Sequence, residues 1–290
     1  MKKKIVLLTV VAVVAALSLS IILAGCTTVD MSKAGPEEIK EYGKLVVATS
    51  PDFPPFESLD KAGNVIGWDI DVAKALAEKL GVELEIQKME FDAVLSSVAA
   101  GKVHIGMAGI SNTAKRDESV DFSMNVFDSS QMIIVRADNT SINGPMDLAG
   151  KTVAVQAGTI GNWLAEMDED YAYNFDDDGN VLLDEPILGA PKTVTKLSSG
   201  LMAIQKVKNG QADAVILDKL PAKTIVEKLN AEGGAQLKIL DMSVYDDAYA
   251  FAIGEGNTAL KAWIDEVLTE LKEEGFFEEL NSKWFGSEEE

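Results

Sequence analysis

Apolar positions along this chain fall into three kinds of run. The first is continuous: residues 5–24 are almost wholly apolar behind a start that carries Lys2, Lys3 and Lys4. The second is short and dense. Leu45-Val46-Val47-Ala48 and the segments 82–86, 103–108, 152–155, 214–217 and 248–253 predict strands. The third has helical spacing. In 69–80 the apolar residues Ile70, Ala73, Leu76, Ala77 and Leu80 line one face, and Gly81 follows as a stop. The segment 91–100 turns Val94, Leu95 and Val98 inward before Gly101. Helices are also predicted near 162–167, over 201–207 up to Asn209-Gly210, over 220–229, and twice at the end of the chain. No internal repeat is visible.

Strands that alternate with helices predict an α/β fold with mostly parallel sheets covered on both faces. Such sheets bind ligands beyond the carboxyl ends of their strands. Three strand ends carry the chain's informative polar residues: Thr49-Ser50, Gly109-Ile110-Ser111 and Leu217-Asp218. The turn around Gly158 joins them, because Val155-Gln156-Ala157-Gly158-Thr159-Ile160-Gly161 reads as strand, tight turn and helix start.

Composition narrows the function. At 290 residues and 47% apolar content the chain is long enough for two lobes with cores of their own. Its net charge of -21 is repelled by phosphate backbones, which argues against nucleic-acid binding, and mostly keeps the protein soluble. The basic residues at 2–4 are the only charges before Cys26, so the remainder is more acidic still. Cys26 is the one cysteine and His104 the one histidine. An internal disulfide is therefore impossible and Cys/His zinc sites are excluded. His104 lies inside an apolar run and reads as structural.

A free amino acid offers a carboxylate, an ammonium and a variable side chain. Arg116 follows the Gly109-Ile110-Ser111 strand end and suits a carboxylate, which a guanidinium grips with two parallel bonds. The helix start at Gly158, Thr159 and Ile160 offers free amides to the same anion. Asp218 suits the ammonium. Phe53, in a loop stiffened by Pro54 and Pro55, and Phe91 are two rings from separate segments that can sandwich an aliphatic or cationic side chain. Ser50, Gln156 and Leu217 bring no committed charge to the far end, which favours a neutral polar side chain and leaves a cation between the rings open.

At these residues the chain resembles the polar amino-acid-binding proteins of bacterial ABC importers, solute-binding protein family 3. The likeness runs over about 44–286 and rests on several stretches in order. They are Val47-Ala48-Thr49 with Phe53-Pro54-Pro55-Phe56-Glu57, Gly67-Trp68-Asp69-Ile70-Asp71, Gly109-Ile110-Ser111-Asn112-Thr113 with Arg116, Val155-Gln156-Ala157-Gly158-Thr159, Asp213 to Asp218, and Lys283-Trp284-Phe285-Gly286. The resemblance implies a two-lobed periplasmic-binding-protein-like fold of type II, with two hinge crossovers and the ligand in the interlobe cleft. It assigns 44–128 and 250–290 to lobe 1, 133–246 to lobe 2, and 128–133 and 246–250 to the hinges. It implies that Arg116 grips the ligand carboxylate with help from Ser111 and Thr159, that Asp218 and the Gly109 carbonyl take the ammonium, and that Phe53 and Phe91 flank the side chain. Ser50, Ile110, Gln156, Gly158 and Ile160 complete the expected set. Departures occur at Ser50, where many relatives are acidic, at Lys115, where they usually carry Glu, and at Leu217.

The N-terminus reads as an address. A basic start, a greasy run and small residues are the parts of a secretory signal. Its end, Leu23-Ala24-Gly25-Cys26, resembles the bacterial lipoprotein box and implies cleavage after residue 25 and a lipid on Cys26. Residues 26–43 then form a tether. The expected protein is a monomeric, cofactor-free receptor, anchored by that lipid on the outer face of the cytoplasmic membrane, that delivers a free amino acid to ABC permease subunits. Two other readings were weighed. A dehydratase-type enzyme on the same fold would use Asp52 or Glu57 as general acid; a sensor would signal through a separate chain. The insertion 174–185 places Asp176, Asp178 and Glu185 at calcium-loop offsets, but Asn174, Leu182 and Pro186 break the pattern, so an acidic turn is the better expectation and no metal is assigned.

Overall fold

The computed structural model describes residues 30–171, 186–234 and 236–286. Helix α1 (Pro36–Tyr42) starts on a proline, which suits a first turn, and stops at left-handed Gly43. Strand β1 (Lys44–Thr49) is buried along nearly its whole length. A small hairpin, β2 (Ser58–Leu59) and β3 (Val65–Ile66), leads into α2 (Trp68–Leu80), which buries Trp68, Ile70, Val72, Leu76 and Leu80 and stops at Gly81. Then come β4 (Glu83–Lys88), α3 (Phe91–Ala99), β5 (Ile105–Gly106), the single turn α4 (Ala114–Asp117) and β6 (Val120–Phe122).

The chain then enters a second sheet. Its elements are β7 (Phe127–Arg136), β8 (Thr152–Gln156), α5 (Ile160–Ala165), β9 (Thr193–Leu197), α6 (Gly200–Lys208), β10 (Ala214–Asp218), α7 (Lys219–Gly233) and β11 (Leu237–Tyr249). Strand β12 (Ala252–Gly254) returns to the first sheet, and α8 (Thr258–Glu273) and α9 (Phe276–Phe285) close the chain.

Two five-stranded sheets result, ordered β4-β1-β5-β12-β6 and β11-β7-β10-β8-β9. In the first, β1 runs parallel to β4 and β5 while β12 is antiparallel to its neighbours; in the second, β8 runs parallel to β9 and β10 while β7 is antiparallel to both β10 and β11. The inner parallel strands β1, β8 and β10 are largely apolar because both faces are covered, whereas the edge strands β4 and β9 are mixed. Val46, Val47, Ala48, Val153, Ala154, Val155, Val215 and Ile216 are all inaccessible to solvent.

Segment 248–253, expected as one strand, is interrupted. β11 ends at Tyr249 and β12 begins at Ala252, because the backbone between them bonds to loops: Ala250 N–H donates to Ile110 O and Ser123 N–H to Phe251 O. The long pairing of β7 with β11, whose register shifts twice between Ile239 and Tyr245, has no periodic apolar signature in the sequence. His104 is buried, and its Nδ1 accepts the Val46 N–H at 2.9 Å. Burial lowers its pKa to about 4, so it is the neutral structural histidine the sequence predicts. Among the described residues no helix is long and apolar enough to cross a membrane, and no cluster of His, Cys, Asp and Glu could hold a metal ion. Cys26 and the loop containing Asp176, Asp178 and Glu185 lie outside the described residues.

Candidate functional site

Arg116 is placed by a one-turn helix. The Thr113 side chain caps α4 by accepting from the Arg116 amide, which fixes where the long side chain leaves the backbone. The guanidinium is buried, and it bridges the two sheets. Nη1 donates to Ser111 O at 2.8 Å and Nη2 to Gly158 O at 3.0 Å, while Nε has no hydrogen-bond partner. Its carbon lies 5.5 Å from the Phe91 ring centre and 4.9 Å from that of Trp163, so aromatic faces cover the cation from both sheets. Burial pulls its pKa down to about 10, which leaves it charged at neutral pH. Gly158 has φ +76°, and a Cβ there would sit 3.4 Å from that of Asp92, so this turn and the start of α3 approach closely. Thr159 caps α5 by accepting from Asn162 N–H. The Ile160 side chain points away into the core of the second sheet with Val155 and Ile216.

Asp218 ends β10 and is buried. Its Oδ1 accepts from Tyr249 OH at 2.6 Å, Gln131 Nε2 at 2.8 Å and Ser129 Oγ at 3.4 Å. The same Gln131 Nε2 stands 3.4 Å from Asp247 Oδ2, which also accepts from Ser111 Oγ at 2.7 Å. A continuous chain of contacts therefore runs from Arg116 through Ser111, Asp247 and Gln131 to Asp218. Burial, and then the charge of Asp247, raise the pKa of Asp218 to about 7. Burial also raises that of Asp247, against the pull of its bond from Ser111.

Phe53 packs against Gly109: a Cβ on that glycine, at φ +54°, would lie 2.6 Å from the ring. The Gly109 N–H donates to Asp69 Oδ2 at 3.0 Å. Beside Asp69 lies Glu57, fully buried, whose pKa is pushed well up by burial and by Asp69's charge. Neither Glu57 carboxyl oxygen has a hydrogen-bond partner, which suits the neutral acid, and burial raises the pKa of Asp69 itself to about 7. Ile110 turns its side chain into the core with Val46, Ala48 and Val94. Of the expected residues, Ile110 and Ile160 have only backbone atoms to offer a ligand.

Asp52 was read only as a candidate general acid, yet it stands between the sheets beside Ser50 and Gln156. Its Oδ1 accepts from Ser50 Oγ at 2.8 Å and its Oδ2 from Gln156 Nε2 at 3.2 Å. Burial raises its pKa to about 6, opposed by the Ser50 bond. A cavity of about 270 Å³ opens here, lined by Ser50, Asp52, Met89, Glu90, Ser198 and Ser199. This cavity carries two acids, Asp52 and Glu90, beside Ser50, where the sequence promised no committed charge. Sequence reasoning also missed Asp247, Gln131 and Trp163. Residue type alone gave no signal for them, because each is brought in by a strand or helix face whose partner is distant in the chain.

Known proteins resemble this chain in sequence and fold. The arginine-binding extracellular protein ArtP of Bacillus subtilis (strain 168) is 28% identical over 274 residues, 93% of this chain and 98% of that protein. Holo ArgBP from T. maritima is 35% identical with a TM-score of 0.67, covering 86% of this chain and 99% of that one. The ancestral amino acid-binding protein AncCDT-1, a precursor of cyclohexadienyl dehydratase, is 30% identical with a TM-score of 0.71, covering 87% of this chain and all (100%) of that one. A family profile matches residues 45–287, and the chain belongs to the bacterial extracellular solute-binding proteins, family 3.

Proposed function

We propose that this protein captures a free L-amino acid with a cationic side chain outside the cell and presents it to the permease subunits of an ABC transporter. The observation that carries the reading is the joint burial of one cation and one carboxyl group, Arg116 and Asp218, at the two ends of a single hydrogen-bonded chain. Arg116 binds the α-carboxylate, aided by Ser111 and the Gly158–Thr159 turn. Asp218 and the Gly109 carbonyl take the α-ammonium, and Phe53 and Phe91 flank the side chain. The acidic cavity at Asp52 and Glu90 favours a guanidinium or ammonium at the far end. Arginine binding by ArtP of B. subtilis and the arginine-binding relatives of known structure support the same preference.

In this reading the strands β7 and β11 act as hinges about which 44–128 with 250–290 and 133–246 close on the ligand. A lipid on Cys26 holds the monomer at the outer face of the membrane, and the activity is binding without turnover. A melting screen against the twenty amino acids tests it. Arginine or lysine at about 1,000 times its dissociation constant adds roughly 4 kcal/mol of stability, and mass spectrometry recovers the ligand unchanged. A screen in which no amino acid raises the melting temperature overturns the reading.

A further inference from the structure

The ammonium end holds more acceptors than one aspartate supplies. All three donors that reach Asp218 go to Oδ1, which leaves Oδ2 with none of them. Two further buried acceptor atoms in the same cluster, Asp247 Oδ1 and Gln131 Oε1, have no hydrogen-bond partner. Gln131 is 1% exposed, so solvent does not satisfy its oxygen. A buried acceptor without a donor is costly, and an α-ammonium brings three N–H donors and one positive charge. Asp247 is tied to the expected ligand residues from both sides, through Ser111 Oγ at 2.7 Å and through Gln131, which also holds Asp218.

We propose that Asp247 is a second carboxylate for the ligand's α-ammonium, which it shares with Asp218, and that the two acids give up a proton as the ammonium enters. This rests on the amino-acid reading above and adds a residue to it. The groups facing the pair are Arg116 of α4, Tyr249 and Tyr245 of β11, the buried acid Glu57 of the loop after β1, and the neutral Gln131 and Ser129 of β7. Arg116 is the one cation among them, and its charge is matched by the ligand's own carboxylate once that binds. Two buried acids that face one cation do not both ionise readily, so the pair keeps a proton near neutral pH. An ammonium between them favours the doubly ionised form, and the proton leaves to solvent.

The test is titration calorimetry of the full chain with L-arginine, and with L-glutamine as a neutral-side-chain probe, at pH 7.5 in phosphate and in Tris. The difference in heat between the two buffers counts protons. The wild type is expected to release a measurable fraction of one proton. Asp247→Asn is expected to bind at least tenfold more weakly and to release almost none. An unchanged affinity and proton count in Asp247→Asn overturns the proposal while leaving the amino-acid reading intact. A wild type that binds either probe without releasing protons overturns it as well, and needs no variant to fold. A wild type that binds none of the twenty amino acids overturns both.

Discussion

Gln156 Nε2 donates to Asp52 Oδ2 at 3.2 Å, joining the carboxyl end of β8 in one sheet to the loop after β1 in the other. The bond holds a carboxylate at the far end of the cleft and spans the two halves that a hinge motion would separate. Both consequences are measurable.

Asp52→Asn keeps the shape and removes the charge. With its pKa raised to about 6, Asp52 is mostly ionised at pH 8 and mostly neutral at pH 5. Arginine affinity is therefore expected to fall as pH drops through 6 in the wild type, and to be about 10- to 100-fold weaker and flat with pH in the variant, since a close partly buried charge pair is worth about 1.5–3 kcal/mol. Stability moves the other way. The folded-state pKa lies above the unfolded value of 3.8, so the folded form prefers neutral Asp52 and that preference is lost as pH rises through 6. Asp52→Asn retains it, and at pH 8 the ligand-free variant should be more stable by about 1–3 kcal/mol. Titration calorimetry and urea melts at both pH values read the two effects; a pH-independent wild-type affinity rules out the distal charge.

Arg116→Lys is expected to bind arginine nearly as poorly as Arg116→Ala. A lysine keeps the charge, but it lacks the planar fork that reaches Ser111 O and Gly158 O together and stacks between Phe91 and Trp163. Leaving a carboxylate unpaired in a buried site costs roughly 3–5 kcal/mol, more than a hundredfold in affinity. Equilibrium dialysis with labelled arginine makes the comparison, and near-wild-type binding by the lysine variant would show that a point charge suffices.

The residues legible in the sequence were those at the ends of parallel strands. Arg116, Thr159 and Asp218 could be read as candidates because each follows a short apolar run, Asp218 directly and Thr159 and Arg116 some residues further on. Asp247 was invisible for the opposite reason. It lies in β11, where exposed and half-buried positions follow no strict alternation and the register slips twice, so it looked like one more surface acid in a chain of 47 acids. Asp52 was read only as a candidate general acid, because its partner Gln156 is over a hundred residues away in the chain. Phe53 was recognised, whereas its packing on Gly109 depends on a positive φ that sequence does not reveal. Local pattern wrote the sheets; distant pairing wrote the charge balance of the cleft.

Lys115 stands where the resemblance led us to expect Glu, and the structure gives the lysine a partner. Its Nζ lies 2.6 Å from Asp168 Oδ2 and 5.4 Å from the Trp163 ring centre, both on the far side of the cleft. With side chains 36% and 25% exposed, this is a part-screened pair worth about 0.2–1 kcal/mol. Lys115→Glu places an acid against Asp168 and should weaken ligand binding several-fold by disfavouring closure, with the loss shrinking between 50 mM and 500 mM salt. Dissociation constants that match the wild type at low salt would mean the pair takes no part in closure.

Glu57→Gln tests the buried acid behind the ligand site. Glu57 is fully buried, and burial, then the charge of Asp69, favours its neutral carboxyl, whose oxygens have no hydrogen-bond partner. Glutamine is neutral and has nearly the same shape, so the variant should fold with a stability within about 1 kcal/mol of wild type, the scale of one hydrogen bond. Asp69→Asn is expected to be worse. It replaces the carboxylate acceptor of the Gly109 N–H with an amide oxygen, a weaker acceptor. Gly109 then loses the anchor that sets its backbone against Phe53, where no side chain fits. The outcome expected is a larger drop in arginine affinity for Asp69→Asn than for Glu57→Gln, by about tenfold, the equivalent of one lost charge-assisted bond. Urea melts and calorimetry on both variants decide it. A strongly destabilised Glu57→Gln would mean that Glu57 is ionised in the fold, and the pair would then need a cation that its neighbours do not supply.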